Sequence, residues 1–85
     1  MPYFVYILEC FDKTLYTGST CDLAKRIHEH NNTKAGAKYT RGRRPVRLVY
    51  SKRCKTLAKA RAVEAEIKNL TRLEKEDIII EYGIN

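Results

Sequence analysis

The run Tyr3 to Cys10, YFVYILEC, is rich in aromatic and β-branched residues and predicts a strand. Tyr3, Val5 and Ile7 fall on one face of that strand, and Phe4, Tyr6 and Leu8 on the other. Both faces are therefore apolar, so the strand must be central and covered on both sides. A chain of 85 residues meets that demand only as a single compact domain, residues 1–85. A core of this size leaves a small stability margin.

The remaining segments supply the cover. Phe11-Asp12-Lys13 is a short polar connection to a second strand, Thr14 to Thr20 (TLYTGST), which predicts an antiparallel hairpin. Asp22 opens a helix, DLAKRIHEHNN, with its acid at the favourable end and Asn31-Asn32 closing it. Lys34 to Pro45 has two glycines, a proline and no period, and reads as a loop. Val46 to Lys52 alternates as a third strand, and Thr56 caps a helix running to about Leu70. Thr71-Arg72-Leu73-Glu74 is a capping box that starts a last helix toward Tyr82-Gly83. The expected fold is α+β: a three-stranded antiparallel sheet flanked by helices.

Charge is segregated along this frame. The formal net charge is +7, and no acid occurs from Asn31 to Val63, where Lys34, Lys38, Arg41, Arg43, Arg44, Arg47, Lys52, Arg53, Lys55, Lys59 and Arg61 all lie. Such a field favours a polyanionic partner, because binding releases condensed counterions. Cys10, Cys21 and Cys54 are odd in number and lack C-x-x-C spacing, which with only His28 and His30 argues against structural zinc. The N-terminus shows no leader pattern and no apolar run approaches a membrane span, so the expected compartment is cytoplasmic and reducing.

Arg26, His30 and Glu64 sit where idle polar groups are costly, and two phenols accompany them. Tyr6 and Tyr16 share a sheet face if the hairpin has no bulge, opposite or diagonal to each other. In the first helix Leu23 and Ile27 form the apolar stripe; His30 lies roughly 40° from its centre and Arg26 roughly 80° away. In the helix after Thr56, the stripe is Leu57, Ala60, Val63, Ile67 and Leu70, with Glu64 roughly 60° from its centre. Taken singly, two phenols are ordinary core, the arginine can snorkel, the histidine can cap, and Glu64 can pair with Arg61 or Lys68. As a metal ligand, a single carboxylate plus waters suits a hard octahedral ion such as Mg²⁺ or Mn²⁺.

Taken together, FVY, then YTG ten residues on, then D-L-x-x-R-x-x-x-H-N, then a glutamate in a later helix, form an ordered set. The chain resembles the GIY-YIG nuclease superfamily, in particular its small stand-alone members of the UPF0213 type, over nearly its whole length. Those members carry the stretches seen here as AKYTRGRRPVRLVY and ARAVEAEIKNL. The resemblance implies that Tyr6 and Tyr16 are the tyrosines of the two motifs, Arg26 the helix arginine, His30 the accompanying histidine and Glu64 the metal-binding glutamate. Phe4-Val5 stands where the first motif has glycine-isoleucine, and Thr17 replaces an isoleucine in the second.

The expected activity is metal-dependent hydrolysis of nucleic-acid phosphodiesters, DNA ahead of RNA, with low sequence specificity. Glu64 would hold Mg²⁺ or Mn²⁺, Arg26 would face the phosphoryl oxygens, and Tyr16 or His30 would act as base. Lys38, Tyr39, Arg41, Arg43 and Arg44 are the candidate nucleic-acid contacts, with Tyr39 either stacking on an unpaired base or folded onto the sheet. The rival functions are a binding module that cuts poorly or not at all, and a subunit lending the fold to a larger complex. Oligomeric state and protein partners have no signal in the sequence.

Overall fold

The computed structural model describes residues 2–84. The elements run β1 (Tyr3–Glu9), β2 (Leu15–Thr20), α1 (Leu23–Asn32), α2 (Lys38–Arg41), β3 (Arg47–Cys54), α3 (Leu57–Lys68) and α4 (Arg72–Tyr82). The sheet is antiparallel in the order β2-β1-β3, so the doubly apolar strand is central, as its sequence requires.

Each face of β1 has its own core. Val5 and Ile7 pack with Val49, Tyr50, Cys54, Ala60 and Ile67 beneath α3, and Ile78 and Ile79 of α4 close that side. Tyr6 and Leu8 pack with Cys10 and Val46, against Tyr16, Leu23 and Ile27 beneath α1. The caps read from sequence are formed: Asp22, Thr56 and Thr71 each accept a backbone N–H in the first turn, and Glu74 returns the bond to Thr71. Each such cap contributes about 1 kcal/mol. No helix among the described residues is long and apolar enough to cross a membrane.

Two expectations need correction. Residues 34–45 are not all loop, since Lys38–Arg41 makes one helical turn, with the Thr40 and Arg41 N–H groups both bonded to the Ala37 carbonyl. A single turn is too short for hydrophobic periodicity to show. Leu57 is not part of the buried stripe of α3 and is 38% exposed. It lies roughly 60° from Ala60 on the flank of Glu64, whereas the helix seats through Ala60, Val63 and Ile67.

Candidate active site

The hairpin register pairs Tyr6 with Gly18 and Leu8 with Tyr16, so the two phenols lie diagonally on one sheet face. Gly18 is what lets Tyr6 lie flat across β2. A Cβ there would stand 2.5 Å from the Tyr6 hydroxyl oxygen and 2.7 Å from its Cζ. The Tyr6 and Tyr16 ring centroids are 6.5 Å apart, and the Phe4-Val5 departure leaves Tyr6 fully seated.

The α1 helix then lowers His30 onto this pair, completely buried, with its ring edge-on to both phenols. Its two nitrogens have different partners: Nε2 is 2.9 Å from the Tyr6 hydroxyl and Nδ1 is 2.8 Å from the Thr40 hydroxyl. The Thr40 hydroxyl donates its one proton to the Ala37 carbonyl, at 2.9 Å, so it accepts from Nδ1–H. His30 Nε2 is then a bare lone pair that accepts from the Tyr6 O–H. The tautomer follows from the hydrogen bonds alone.

Electrostatics agree with that assignment. Burial, reinforced by the Arg26 and Arg44 charges, lowers the His30 pKa to about 4, so the ring is neutral at physiological pH. Burial raises Tyr6 to about 12, only partly offset by the neighbouring Arg26 guanidinium. Tyr6 therefore keeps its proton and spends it on His30, leaving its oxygen able only to accept. Tyr16 is the more exposed phenol of the two. Arg26 is held at the rim by Glu29 (3.2 Å) and the Ala35 carbonyl (2.8 Å), both through Nη1.

Glu64 comes from the other face. Ser19 follows Gly18 and so points to the α3 side, where its hydroxyl donates to Glu64 Oε1 at 2.8 Å. Lys68 pairs with Oε2 at 2.7 Å, which resolves the choice between Arg61 and Lys68 as the contacting base. Burial would raise the Glu64 pKa, but the Lys68 and Ser19 hydrogen bonds outweigh it and hold the carboxyl below its ordinary value. Its charge is near enough to Tyr6 to raise that phenol further. The site thus straddles β2, with phenols and imidazole on one face and the carboxylate on the other. The partly exposed Glu64 carboxylate beside the Ser19 hydroxyl is the hard-oxygen group that could hold a divalent ion, while no cluster of three acidic, histidine or cysteine side chains forms among the described residues.

The basic segment divides. Lys38 and Arg41 are exposed. Tyr39 is packed onto Tyr16 (centroids 6.0 Å, 29° between planes), with the Arg43 guanidinium 4.0 Å from its ring centre. Arg43 also binds Asp12 and the Tyr39 carbonyl. Arg44 turns inward, donating to the carbonyls of Glu29, His30 and Thr33 at the end of α1. Arg44→Ala should cost about 2–4 kcal/mol in urea unfolding by stranding those carbonyls, and Arg44→Lys should recover less than half. Neutral behaviour of the alanine variant would refute this clamp.

Sequence reasoning missed Thr40 and Ser19. Strand parity gave the face of Ser19 but not its partner, and Thr40 lies in the single turn that carried no signal.

A family model described as the GIY-YIG catalytic domain matches residues 2–77. The chain belongs to the GIY-YIG family. That is a nuclease family, so its substrate class is nucleic acid. A UPF0213 protein of Syntrophus aciditrophicus is 53% identical over 76 residues, covering 89% of this chain and 87% of its own length. One from Clostridium perfringens is 53% identical over 81 residues, with 95% and 86% covered. The solution NMR structure of a UPF0213 protein from Bacillus halodurans matches this GIY-YIG domain with a TM-score of 0.64 at 44% identity, covering 98% of this chain and 87% of its own. An NMR structure from E. faecalis gives 0.66 at 37% identity, covering 95% and 85%.

Proposed function

We propose that this GIY-YIG domain is an endonuclease that hydrolyses phosphodiesters with one divalent ion, Mg²⁺ or Mn²⁺, acting on DNA ahead of RNA with little sequence preference. The observation that carries this reading is the Tyr6–His30–Thr40 chain, a buried device that fixes one phenol oxygen as a pure acceptor beside a second, more exposed phenol.

In this reading Tyr16 touches the attacking water and Tyr6 orients it. His30 is buried and its free lone pair is committed, so it reaches water only through Tyr6. As the water oxygen bonds to phosphorus, its proton passes to the Tyr16 oxygen in phenolate form, and the bond to the leaving oxygen breaks. A phenolate base needs positive charge beside it, which a divalent ion bound at Glu64 would supply. The Glu29 and Ala35 contacts use Nη1 alone of a guanidinium with five donors, so Arg26 can also face the phosphoryl oxygens. A divalent ion held by Glu64 would neutralise the phosphate and steady the leaving oxygen. Lys38 and Arg41 hold the flanking backbone, in a strongly salt-dependent way.

Both Glu64 oxygens are already engaged, by Ser19 and Lys68, and this favours a second reading: a nucleic-acid-binding module that does not cut. Incubation with single-stranded, duplex and branched DNA and with RNA, in Mg²⁺, Mn²⁺ or EDTA, separates the two. The expected result is metal-dependent cleavage that drops at least about 100-fold in Glu64→Gln, a loss typical of removing one charge-stabilising group, while binding is retained. Binding without cleavage of every substrate would leave the second reading.

A further inference from the structure

The catalytic reading leaves much of the positive charge unused, and part of it lines a groove on the far side of the sheet. Lys52 shares the Val5 row with Ser19, but on the opposite outer strand, so it faces α3 two strands from Ser19. With Lys55 and Lys59 it lines a cavity of about 380 Å³ between the end of β3 and the first turns of α3. A second cavity, of about 440 Å³, continues from Lys52 past Tyr50 to Tyr82. Lys52, Lys55 and Lys59 are exposed, and none makes an ion pair among the described residues. Tyr82 is 68% exposed at the end of α4. About the centre of α3 at Ala60, Glu64 lies roughly 40° to one side and Lys59 roughly 100° to the other. The groove and the candidate active site therefore occupy opposite flanks of one helix.

Three unpaired ammonium groups leading to an exposed aromatic ring are the two elements that single-stranded nucleic acid needs: charge along its phosphates and a ring for a base to stack on. An acidic peptide would use the charge but not the ring, and a duplex keeps its bases stacked internally. We propose that the β3–α3 groove is a second binding locus for a single-stranded nucleic-acid segment, with phosphates at Lys52, Lys55 and Lys59 and a base on Tyr82. This rests on the nuclease reading and deepens it. A helix with its side chains is about 10–12 Å across, so a single strand of several nucleotides is long enough to lead around α3 to the Glu64 flank.

The test is fluorescence anisotropy of a labelled 15-nucleotide single strand in EDTA across a salt series. Replacing Lys52, Lys55 and Lys59 together by alanine should weaken binding more than 10-fold. It should also lower the slope of log affinity against log salt by about 2, at roughly 0.7 per lost contact. The triple arginine variant should bind as wild type, and circular dichroism should show all variants folded. Tyr82→Ala should lose about 10-fold and Tyr82→Phe almost nothing.

Unchanged affinity and slope in the triple alanine variant would overturn the proposal. So would displacement of the labelled strand by equal-charge duplex or polyglutamate as effectively as by unlabelled single strand. If wild type binds no nucleic acid at all, the nuclease reading falls as well. If wild type binds and cleaves but the groove variants match it, only the groove falls.

Discussion

Gly18→Ala should lower the melting temperature by about 10–20 °C and disable the site, although it adds a single methyl group. The new Cβ would lie 2.5 Å from the hydroxyl oxygen of Tyr6, a ring that is 1% exposed and has nowhere to go. Overpacking of this kind costs about 1–3 kcal/mol. Any shift of Tyr6 also strands the buried His30 Nε2, adding about 1–3 kcal/mol. Alanine in a strand regains only about 0.5–1 kcal/mol. The clash wins. A double-mutant cycle isolates the cause: in a Tyr6→Val background, Gly18→Ala should cost less than about 0.5 kcal/mol. A wild-type melting temperature for Gly18→Ala alone would show that β2 relaxes freely and that the glycine has another purpose.

The second large effect is on acid stability. His30 titrates near 6.5 when unfolded and about 4 when folded, because burial first, and then the Arg26 and Arg44 charges, disfavour the imidazolium. Glu29 opposes them. The folded pKa is depressed, so protonation favours the unfolded chain. The full contribution is present above about pH 6.5 and is lost progressively as pH falls to about 4, amounting to about 3 kcal/mol at most. Urea unfolding of wild type from pH 7.5 to 4 should show this loss. His30→Gln, which does not titrate, should be weaker at neutral pH yet nearly flat across that window. Glu64 and Glu74, lowered from 4.5, and Asp12, lowered from 3.8, are held low by their own partners, so their losses begin only at the acid end of that window. Parallel pH profiles for the two proteins would rule out His30 as the source.

The site was only partly legible in the chain. Helix wheels located His30 and Glu64 beside buried stripes because helical periodicity is local and survives without knowing the neighbours. The same wheel admitted Leu57 to a stripe that the folded helix leaves exposed, since a wheel shows a face but not where it is centred. Strand alternation placed Tyr6 and Tyr16 together, and the register then made them diagonal rather than opposite. Arg44 and Arg43 show the limit most clearly. Both read in the chain as candidate nucleic-acid contacts, and in the fold Arg44 clamps the end of α1 while Arg43 is bound to Asp12 and Tyr39, contacts that span up to 31 residues of sequence.

What the sequence determined alone was the central strand, its two covered faces, the caps and the family. All of these depend on residues within a few positions of one another or on their order. Only the tertiary structure decided that His30 is neutral, which nitrogen carries its proton, and that the carboxylate reaches β2 from the opposite face. Those outcomes depend on burial and on single hydrogen bonds, one accepted by Thr40 and one donated by Ser19, whose partners lie 10 and 45 residues away. Local pattern carries no information about either.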